Sequence, residues 1–169
     1  MLEIINNLKP FFEDCYRRIS VREYARIVRI SPPTASKVLK KLNKEDLLSE
    51  EKDRNYIFYY ANKNSDLFIA LSRIHWKIKL KELMELLRRS LTNQTVILFG
   101  SLSKAETKVE SDIDICIIGN KKEINISKFE NILKRKIQLF FFDSIMEIKN
   151  KELANNIING CLLDGRLKL

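Results

Sequence analysis

Two polar clusters in the second half of the chain combine residue types that can together bind phosphate and metal. Gly100 and Ser101 follow one apolar, β-branched run, while Asp112 and Asp114 stand at the start of another, with ten residues between Ser101 and Asp112. Side chains two residues apart on a strand point to the same face of the sheet, so the two carboxylates can hold one cation jointly. A glycine at 100 lets the backbone approach a triphosphate, and Ser101 and nearby amides can donate hydrogen bonds to it.

A less specific interpretation is that Ser111 and Asp112 merely open a strand after a polar turn. Asp114 argues against it, because the run that follows at 115–118 is made of residue types that are usually buried. A carboxylate pointing inward there costs free energy unless a cation or hydrogen bonds compensate its charge. We therefore expect a cation at this position.

The elements that must position these residues are short strands alternating with helices. Apolar runs at 96–99, 113–118 and 137–142 predict three strands, with a helical stretch between the last two. A helix at 151–159 is predicted to follow, and the apolar residues 161–163 after it are expected either to add an edge strand or to pack on the sheet. This order indicates an α/β arrangement.

The pattern Gly-Ser, ten residues, Asp-Ile-Asp resembles the signature of the DNA polymerase β-like nucleotidyltransferases, and most of all the minimal nucleotidyltransferases. The resemblance spans about residues 93–165 and implies an α/β (α+β) domain with a mixed sheet flanked by helices. It also implies transfer of a nucleoside monophosphate from a nucleoside triphosphate, here expected to be ATP, with Mg²⁺ as cofactor. Asp112 and Asp114 would be both the metal ligands and the catalytic residues. The implied nucleotide-binding residues are Gly100, Ser101 and Lys104.

The sequence departs from this family at one position. Active members usually carry a third carboxylate on a neighbouring strand, and here the corresponding residue is Gln138. An amide can orient a hydroxyl, but it cannot act as a carboxylate base and binds Mg²⁺ poorly. Asp143 lies five residues on with the opposite strand parity, so it would substitute only if a bulge redirected it. The sequence leaves open whether the site catalyses nucleotidyl transfer.

The first 65 residues have a different pattern. A helix is predicted at 2–12, and Ser20 and Ser31 are the expected N-caps of a second and a third helix. A charged tip at 50–55 then precedes an aromatic, β-branched run, which predicts a hairpin.

Three helices followed by a hairpin resemble the winged helix-turn-helix of MarR-like and ArsR-like regulators. The resemblance implies a third helix that meets DNA through hydroxyl and cationic side chains. The expected DNA-binding residues are Thr34, Ser36, Lys37, Lys40, Lys41 and Arg54. Lysines on an exposed helix face are also ordinary, and winged helices also mediate protein contacts, so a protein-binding role remains open.

These patterns divide the chain into three parts. A winged helix-turn-helix domain is expected at 1–65, a single long connector helix at 66–92 and the nucleotidyltransferase domain at 93–169. The chain has 169 residues, of which 45% are hydrophobic, and this favours a folded protein over a disordered one. No apolar stretch approaches the length of a bilayer span, so we expect a cytoplasmic protein that does not bind membranes.

The net charge of +9 favours polyanionic partners through a salt-sensitive field. Two functions stay open. The first is an enzyme that modifies an unknown acceptor, which family analogy extends to a protein such as a HEPN-type partner. The second is a DNA-binding transcription regulator whose degenerate nucleotidyltransferase domain senses nucleotide without turnover. The connector helix is the expected surface of a homodimer.

Overall fold

The structure is a computed structural model that describes residues 2–167. The chain forms two compact units. The first runs to His75 and also takes in Ala105–Val109, and the second comprises Trp76–Lys104 and continues from Glu110.

The first unit consists of helices packed around a small antiparallel sheet. The sheet order is β1-β3-β2, in which β2 and β3 form the predicted hairpin. In chain order the elements are α1 (Leu2–Glu13), β1 (Ile19–Ser20), α2 (Val21–Val28), α3 (Pro32–Lys44), β2 (Leu48–Asp53) and β3 (Tyr56–Ala61).

Both predicted helix caps are present. The Ser20 hydroxyl accepts a hydrogen bond from the backbone N–H of Glu23 over 3.3 Å, and Ser31 accepts one from Thr34 over the same distance. Each bond satisfies a donor at a helix start that has no partner within the helix. The first helix continues through Pro10 as far as Glu13. Its fully buried Phe11 and Phe12 belong to the hydrophobic core of this unit.

The prediction of a single long connector helix at 66–92 is wrong: two helices, α4 (Asp66–Lys79) and α5 (Lys81–Ser90), meet at Leu80. Leu80 still donates its N–H to Trp76 and accepts from Met84, so the hydrogen bonding continues while the dihedral angles of Leu80 (φ −88°, ψ 3°) leave the helical region. Periodicity alone does not reveal such an interruption, because Leu80 is itself a buried apolar residue in register with the helix.

The second unit is built on a four-stranded mixed sheet of order β6-β5-β4-β7, in which β5 and β6 are parallel and the other pairs antiparallel. The fold is therefore mixed α+β, as predicted. The elements after α5 are β4 (Thr95–Phe99), β5 (Ile113–Ile118), α6 (Ser127–Leu133), β6 (Ile137–Phe142), a short 3₁₀ turn (Ile145–Glu147), α7 (Lys151–Ile158) and β7 (Cys161–Asp164).

The centre of this sheet is apolar on both faces, since every residue of β4 is buried. The predicted edge strand at the end of the chain is β7, which pairs with β4. Gly160 precedes it because a Cβ there would lie 2.6 Å from the carbonyl oxygen of Leu98. Among residues 2–167, no helix is long and apolar enough to cross a bilayer.

Candidate active site

The glycine of the Gly-Ser pair lies directly against one of the two acids. The antiparallel register pairs Phe99 with Asp114, so the turn that leaves β4 passes the Asp114 side chain. A Cβ added to Gly100 would overlap the Oδ2 atom of Asp114. Gly100 also has a φ of +72°, which side chains rarely adopt. The two separate polar clusters of the sequence therefore meet at one end of the β4–β5 pair.

The second acid stands at the same end. Asp112 immediately precedes β5, and its Oδ2 atom accepts a hydrogen bond of 2.7 Å from Nε2 of Gln138 on β6. The parallel register pairs Gln138 with Asp114. The residue hydrogen bonded to one acid is thus the strand partner of the other.

The electrostatics of Asp114 differ from those of an ordinary surface acid. Burial raises the pKa of Asp114, and the negative charge of Asp112 raises it further. The folded chain therefore carries an electrostatic cost at this position when no cation is present.

A buried arginine is hydrogen bonded to the turn that contains Asp112. Arg135 is 8% exposed and donates from its guanidinium to the carbonyl oxygen of Ser111 over 2.8 Å. The backbone N–H of Ile113 donates to the carbonyl of Lys136 over 2.8 Å. Asp112 is thereby held on both sides by the residues that lead into β6. Sequence reasoning missed Arg135, because nothing in its local pattern distinguishes it from the exposed cations around it.

The turn after Gly100 is also closed by side chains. The fully buried Ser103 donates its hydroxyl to the carbonyl oxygen of Gly100 over 2.9 Å, and the N–H of Lys104 donates to the carbonyl of Ser101 over 3.3 Å. The Lys104 ammonium donates to the side-chain oxygen of Asn156 on α7 over 2.7 Å. Lys104 is therefore directed to α7 here. Neither Ser103 nor Asn156 was expected from the sequence.

Asp143 does not provide the third carboxylate. The register pairs Ile118 with Phe142, so Asp143 follows the far end of β6, whereas Asp112 and Asp114 stand where β5 begins. Asp143 follows Gln138 by five residue steps, each of roughly 3.3 Å along an extended chain. No bulge interrupts the β5–β6 register. Within the part of the chain described, no three His, Cys, Asp or Glu side chains are grouped to hold a metal ion.

The residues predicted to bind DNA belong to the first unit. All but Ser36, which is half-buried, are exposed. Five lie on α3, and Arg54 is at the hairpin turn with a φ of +53°. The Thr34 hydroxyl is hydrogen bonded to Ser31 over 2.8 Å, which ties it to the helix cap.

An arginine on the approach to β1 pairs with the acids of the hairpin. The Arg18 guanidinium lies 3.1 Å from a carboxylate oxygen of Glu51 and 3.9 Å from one of Asp53. These acids are interleaved with Lys52 and Arg54. Part of the negative charge at the hairpin tip is therefore matched by a cation outside it.

Comparison with known families finds a match that covers the residues of this site. Residues 80–162 match the family model described as "Nucleotidyltransferase domain". The match contains the Gly-Ser pair, both acids and Gln138, and it begins at Leu80, between α4 and α5. The predicted nucleotidyltransferase resemblance is thus supported for this part of the chain.

The other comparisons add little. No curated protein matches the sequence. A solved structure of a mutant of ZitR from Lactococcus lactis is 17% identical, with a TM-score of 0.36 over 50% of this chain and 60% of that chain. A likeness of this extent supports no statement about the fold or function of this chain.

Proposed function

We propose that the protein is a Mg²⁺-dependent nucleotidyltransferase that moves a nucleoside monophosphate from a nucleoside triphosphate, with ATP as the expected donor, to an acceptor. The observation that carries the proposal is the adjacency of Gly100 to the Asp114 carboxylate, with Asp112 at the same end of the strand pair. The match of residues 80–162 to a nucleotidyltransferase domain supports nucleotidyl transfer as the reaction class.

The acid pair suits a divalent metal. Asp112 and Asp114 offer the hard oxygen ligands that Mg²⁺ prefers, and the raised pKa of Asp114 reflects a charge that a cation would offset. When bound, Mg²⁺ supplies positive charge to the phosphate oxygens and so eases departure of pyrophosphate. The two carboxylates would hold it between them.

The remaining residues of the site bind and orient the nucleotide. The absence of a side chain at Gly100 leaves room for the Asp114 carboxylate, and the hydroxyl of Ser101 and the amides of its turn donate hydrogen bonds to the phosphate oxygens. Lys104 would exchange its bond to Asn156 for a phosphate contact. Gln138 holds Asp112 through its amide and cannot accept the proton of the acceptor as a carboxylate would. The proton therefore passes to solvent or to a group that a partner supplies.

The Gln138 bond also favours a second candidate function. A neutral amide in this position is compatible with a domain that binds nucleotide without transferring it. The chain would then be a DNA-binding regulator that senses nucleotide through its second unit.

The first unit is proposed to be a winged helix-turn-helix that binds DNA. Its support is the order of three helices followed by a hairpin, with exposed Lys37, Lys40 and Lys41 on the third helix. Protein binding through the same unit remains the alternative, and a HEPN-type acceptor and a homodimer remain expectations by analogy.

Transfer from α-labelled ATP tests the enzyme. Purified protein is incubated with the label and Mg²⁺, with and without candidate acceptors, beside Asp112→Asn, Asp114→Asn and the matched control Asp143→Asn. The control removes the same charge from the far end of β6. We expect transfer in the parent and the control and its loss in the other two. Transfer that persists in the Asp112 and Asp114 variants would refute the assigned roles.

Calorimetry separates the two candidate functions. Binding of ATP and Mg²⁺ that requires Asp112 and Asp114 but yields no labelled product with any acceptor supports the sensor. If the parent protein binds no ATP in the presence of Mg²⁺, both candidate functions are excluded.

A further inference from the structure

Strand β6 forms one edge of the four-stranded sheet and is paired on one side only, with β5. Its residues, Ile137–Phe142, contain neither a charged residue nor a proline, and the last four are half-buried apolar side chains. Folded proteins usually protect such an edge from pairing with another strand by charges, prolines or bulges. No bulge interrupts the β5–β6 register. None of these three features therefore protects β6.

The opposite edge of the sheet, β7, is bordered by charged side chains. It has four residues and ends at Asp164, which is paired with Arg88 over 3.1 Å. The carbonyl oxygen of Leu162 accepts a hydrogen bond of 3.2 Å from the Lys77 ammonium. The two edges of the sheet thus differ, and β6 is the one that is open to a further strand.

The hydrogen bonds to β5 show which backbone groups of β6 face outward. The carbonyl oxygens of Lys136 and Phe142 accept bonds from the β5 side, the first from Ile113 over 2.8 Å and the second from Gly119 over 2.9 Å. Successive residues of a strand direct their N–H and C=O groups to alternate sides. Positions 137, 139 and 141 therefore direct theirs away from β5.

Two residues of β6 have outward backbone groups that are not used. The N–H of Ile137 donates to the Glu130 carboxylate over 3.0 Å, so this position is already occupied. Among residues 2–167, no group is hydrogen bonded to the outward N–H or C=O of Leu139 or of Phe141. The unused groups lie two residues apart on one side of the strand, which is the spacing at which an antiparallel strand forms its hydrogen bonds.

We propose that β6 pairs antiparallel with β6 of a second copy of this chain. The register that uses the free groups pairs Leu139 with Phe141 of the second copy, and Phe141 with Leu139 of the second copy. Each pair exchanges both of its backbone hydrogen bonds. This register leaves the bond from Ile137 to Glu130 intact. Phe140 then faces its own counterpart across a two-fold axis, which is the symmetry typical of homodimers.

The charges at the two ends of β6 favour antiparallel pairing of the strand with itself. The exposed Lys136 precedes the strand, and the exposed Asp143 follows it. In the proposed register Ile137 lies opposite Asp143 of the second copy, so at each end of the pair a carboxylate comes next to Lys136. A parallel pairing would bring like charges together instead. A second copy of the chain therefore complements this edge.

The pairing also brings an aromatic side chain to the candidate active site. Residues directly opposite each other share one face of a sheet, and the register places Phe142 of the second copy opposite Gln138. Gln138 is bonded to Asp112 and is the strand partner of Asp114. The second copy therefore contributes a ring next to the residue that contacts the acid pair. The dimer does not depend on the proposed nucleotidyl transfer, because backbone groups of β6 form it.

Sedimentation velocity of the full chain tests the dimer. We expect the parent to shift from monomer to dimer between about 1 µM and 1 mM, the range in which small interfaces associate. Leu139→Pro removes one outward donor from each residue pair without removing a bond to β5, and it should weaken the dimer about tenfold or more. Leu139→Ala is the matched control, because it removes the same side chain and keeps the N–H. It should change the dimer affinity much less.

Cross-linking tests the register. In a Cys161→Ser background, Phe140→Cys places a thiol at the two-fold axis, where opposite residues that share no hydrogen bond lie close enough for a disulfide. The two remaining cysteines are buried. Mild oxidation with diamide should give a covalent dimer of this variant. Phe142→Cys is the control, because in the proposed register it faces Gln138 of the second copy, and it should stay monomeric.

Each outcome supports or overturns the pairing. A parent that stays monomeric up to about 1 mM overturns it and favours a strand of another protein as the occupant of this edge. A dimer that a folded Leu139→Pro leaves unchanged, or that Phe140→Cys does not cross-link, also overturns it. If Leu139→Pro fails to fold, the cross-linking variants decide. Nucleotide binding is measured separately, by the labelled-ATP and calorimetry experiments, so either proposal can fail without the other.

Discussion

Gln138 donates a hydrogen bond from Nε2 to Oδ2 of Asp112 over 2.7 Å, and it is also the residue that pairs with Asp114 across the parallel β5–β6 ladder. A neutral side chain therefore stands on the strand next to the acids, where it contacts Asp112. This relationship controls what the site can do, because an amide can hold a carboxylate in place but cannot take up a proton at neutral pH.

A carboxylate at 138 should change the catalysis. Gln138→Glu places a potential base beside the acid pair, and general bases typically contribute about 10²–10⁴-fold to a rate. We expect transfer from labelled ATP to rise at least tenfold and stability without Mg²⁺ to fall by about 1 kcal/mol through like-charge repulsion. Gln138→Ala removes the bond to Asp112 without adding a base and should not accelerate transfer. Equal rates in both variants would mean that proton removal does not limit the reaction.

The acid pair should destabilise the metal-free protein. The pKa of Asp114 is raised in the folded chain, so the folded state keeps this proton to higher pH than the unfolded chain, and the contribution of Asp114 to stability falls as pH rises through that window. Without metal at pH 7, Asp114→Asn should therefore be more stable than the parent, with a higher Tm.

The difference in stability between Asp114→Asn and the parent should vanish at pH values below the ordinary pKa of an aspartate. It should also become smaller when Mg²⁺ is added to the parent. Thermal unfolding at several pH values, with EDTA or Mg²⁺, checks both trends. A parent that is more stable than the variant at pH 7 in EDTA would contradict the assigned electrostatics.

Gly100 should tolerate no side chain. Gly100→Ala combines a φ of +72° with overlap of the new Cβ and the Asp114 carboxylate, so we expect roughly 1–3 kcal/mol of destabilisation and at least tenfold weaker ATP binding. Gly119→Ala is the matched control. Its φ is +148°, but the nearest atom to an added Cβ is a side-chain carbon of Gln94 at 3.5 Å. Backbone strain alone would affect both variants. Only Gly100→Ala should bind ATP more weakly, and calorimetry measures this affinity.

The third helix should carry the affinity for DNA. Combined replacement of Lys37, Lys40 and Lys41 by Ala should weaken DNA binding and reduce its salt slope by about three, since each phosphate contact contributes about one. The control replaces three exposed lysines of the second unit: Lys121, Lys128 and Lys149. Gel shifts at several salt concentrations measure both sets. A parent that gives no shift at low salt would exclude DNA as the partner.

Residue types and their spacing along the chain were enough to predict which residues can meet at the candidate site. The apolar runs after Thr95 and from Ile113 are rich in residue types that favour strands. Because side chains alternate between the two faces of a strand, the spacing of the polar residues at the strand ends predicts which of them share a face. The helix caps Ser20 and Ser31 were equally predictable, because capping depends on residues close in the chain. Such local rules need no knowledge of the rest of the fold.

The contacts that support those residues follow from tertiary packing and could not be predicted from local patterns. The β5–β6 register puts Gln138 beside the acids and Asp143 at the other end, and register depends on the packing of a whole strand pair. The bond from Arg135 to Ser111 spans 24 residues of sequence. The inclusion of Ala105–Val109 in the first unit is equally non-local. Contacts between distant parts of a chain follow from how its elements pack, and local periodicity contains no information about them.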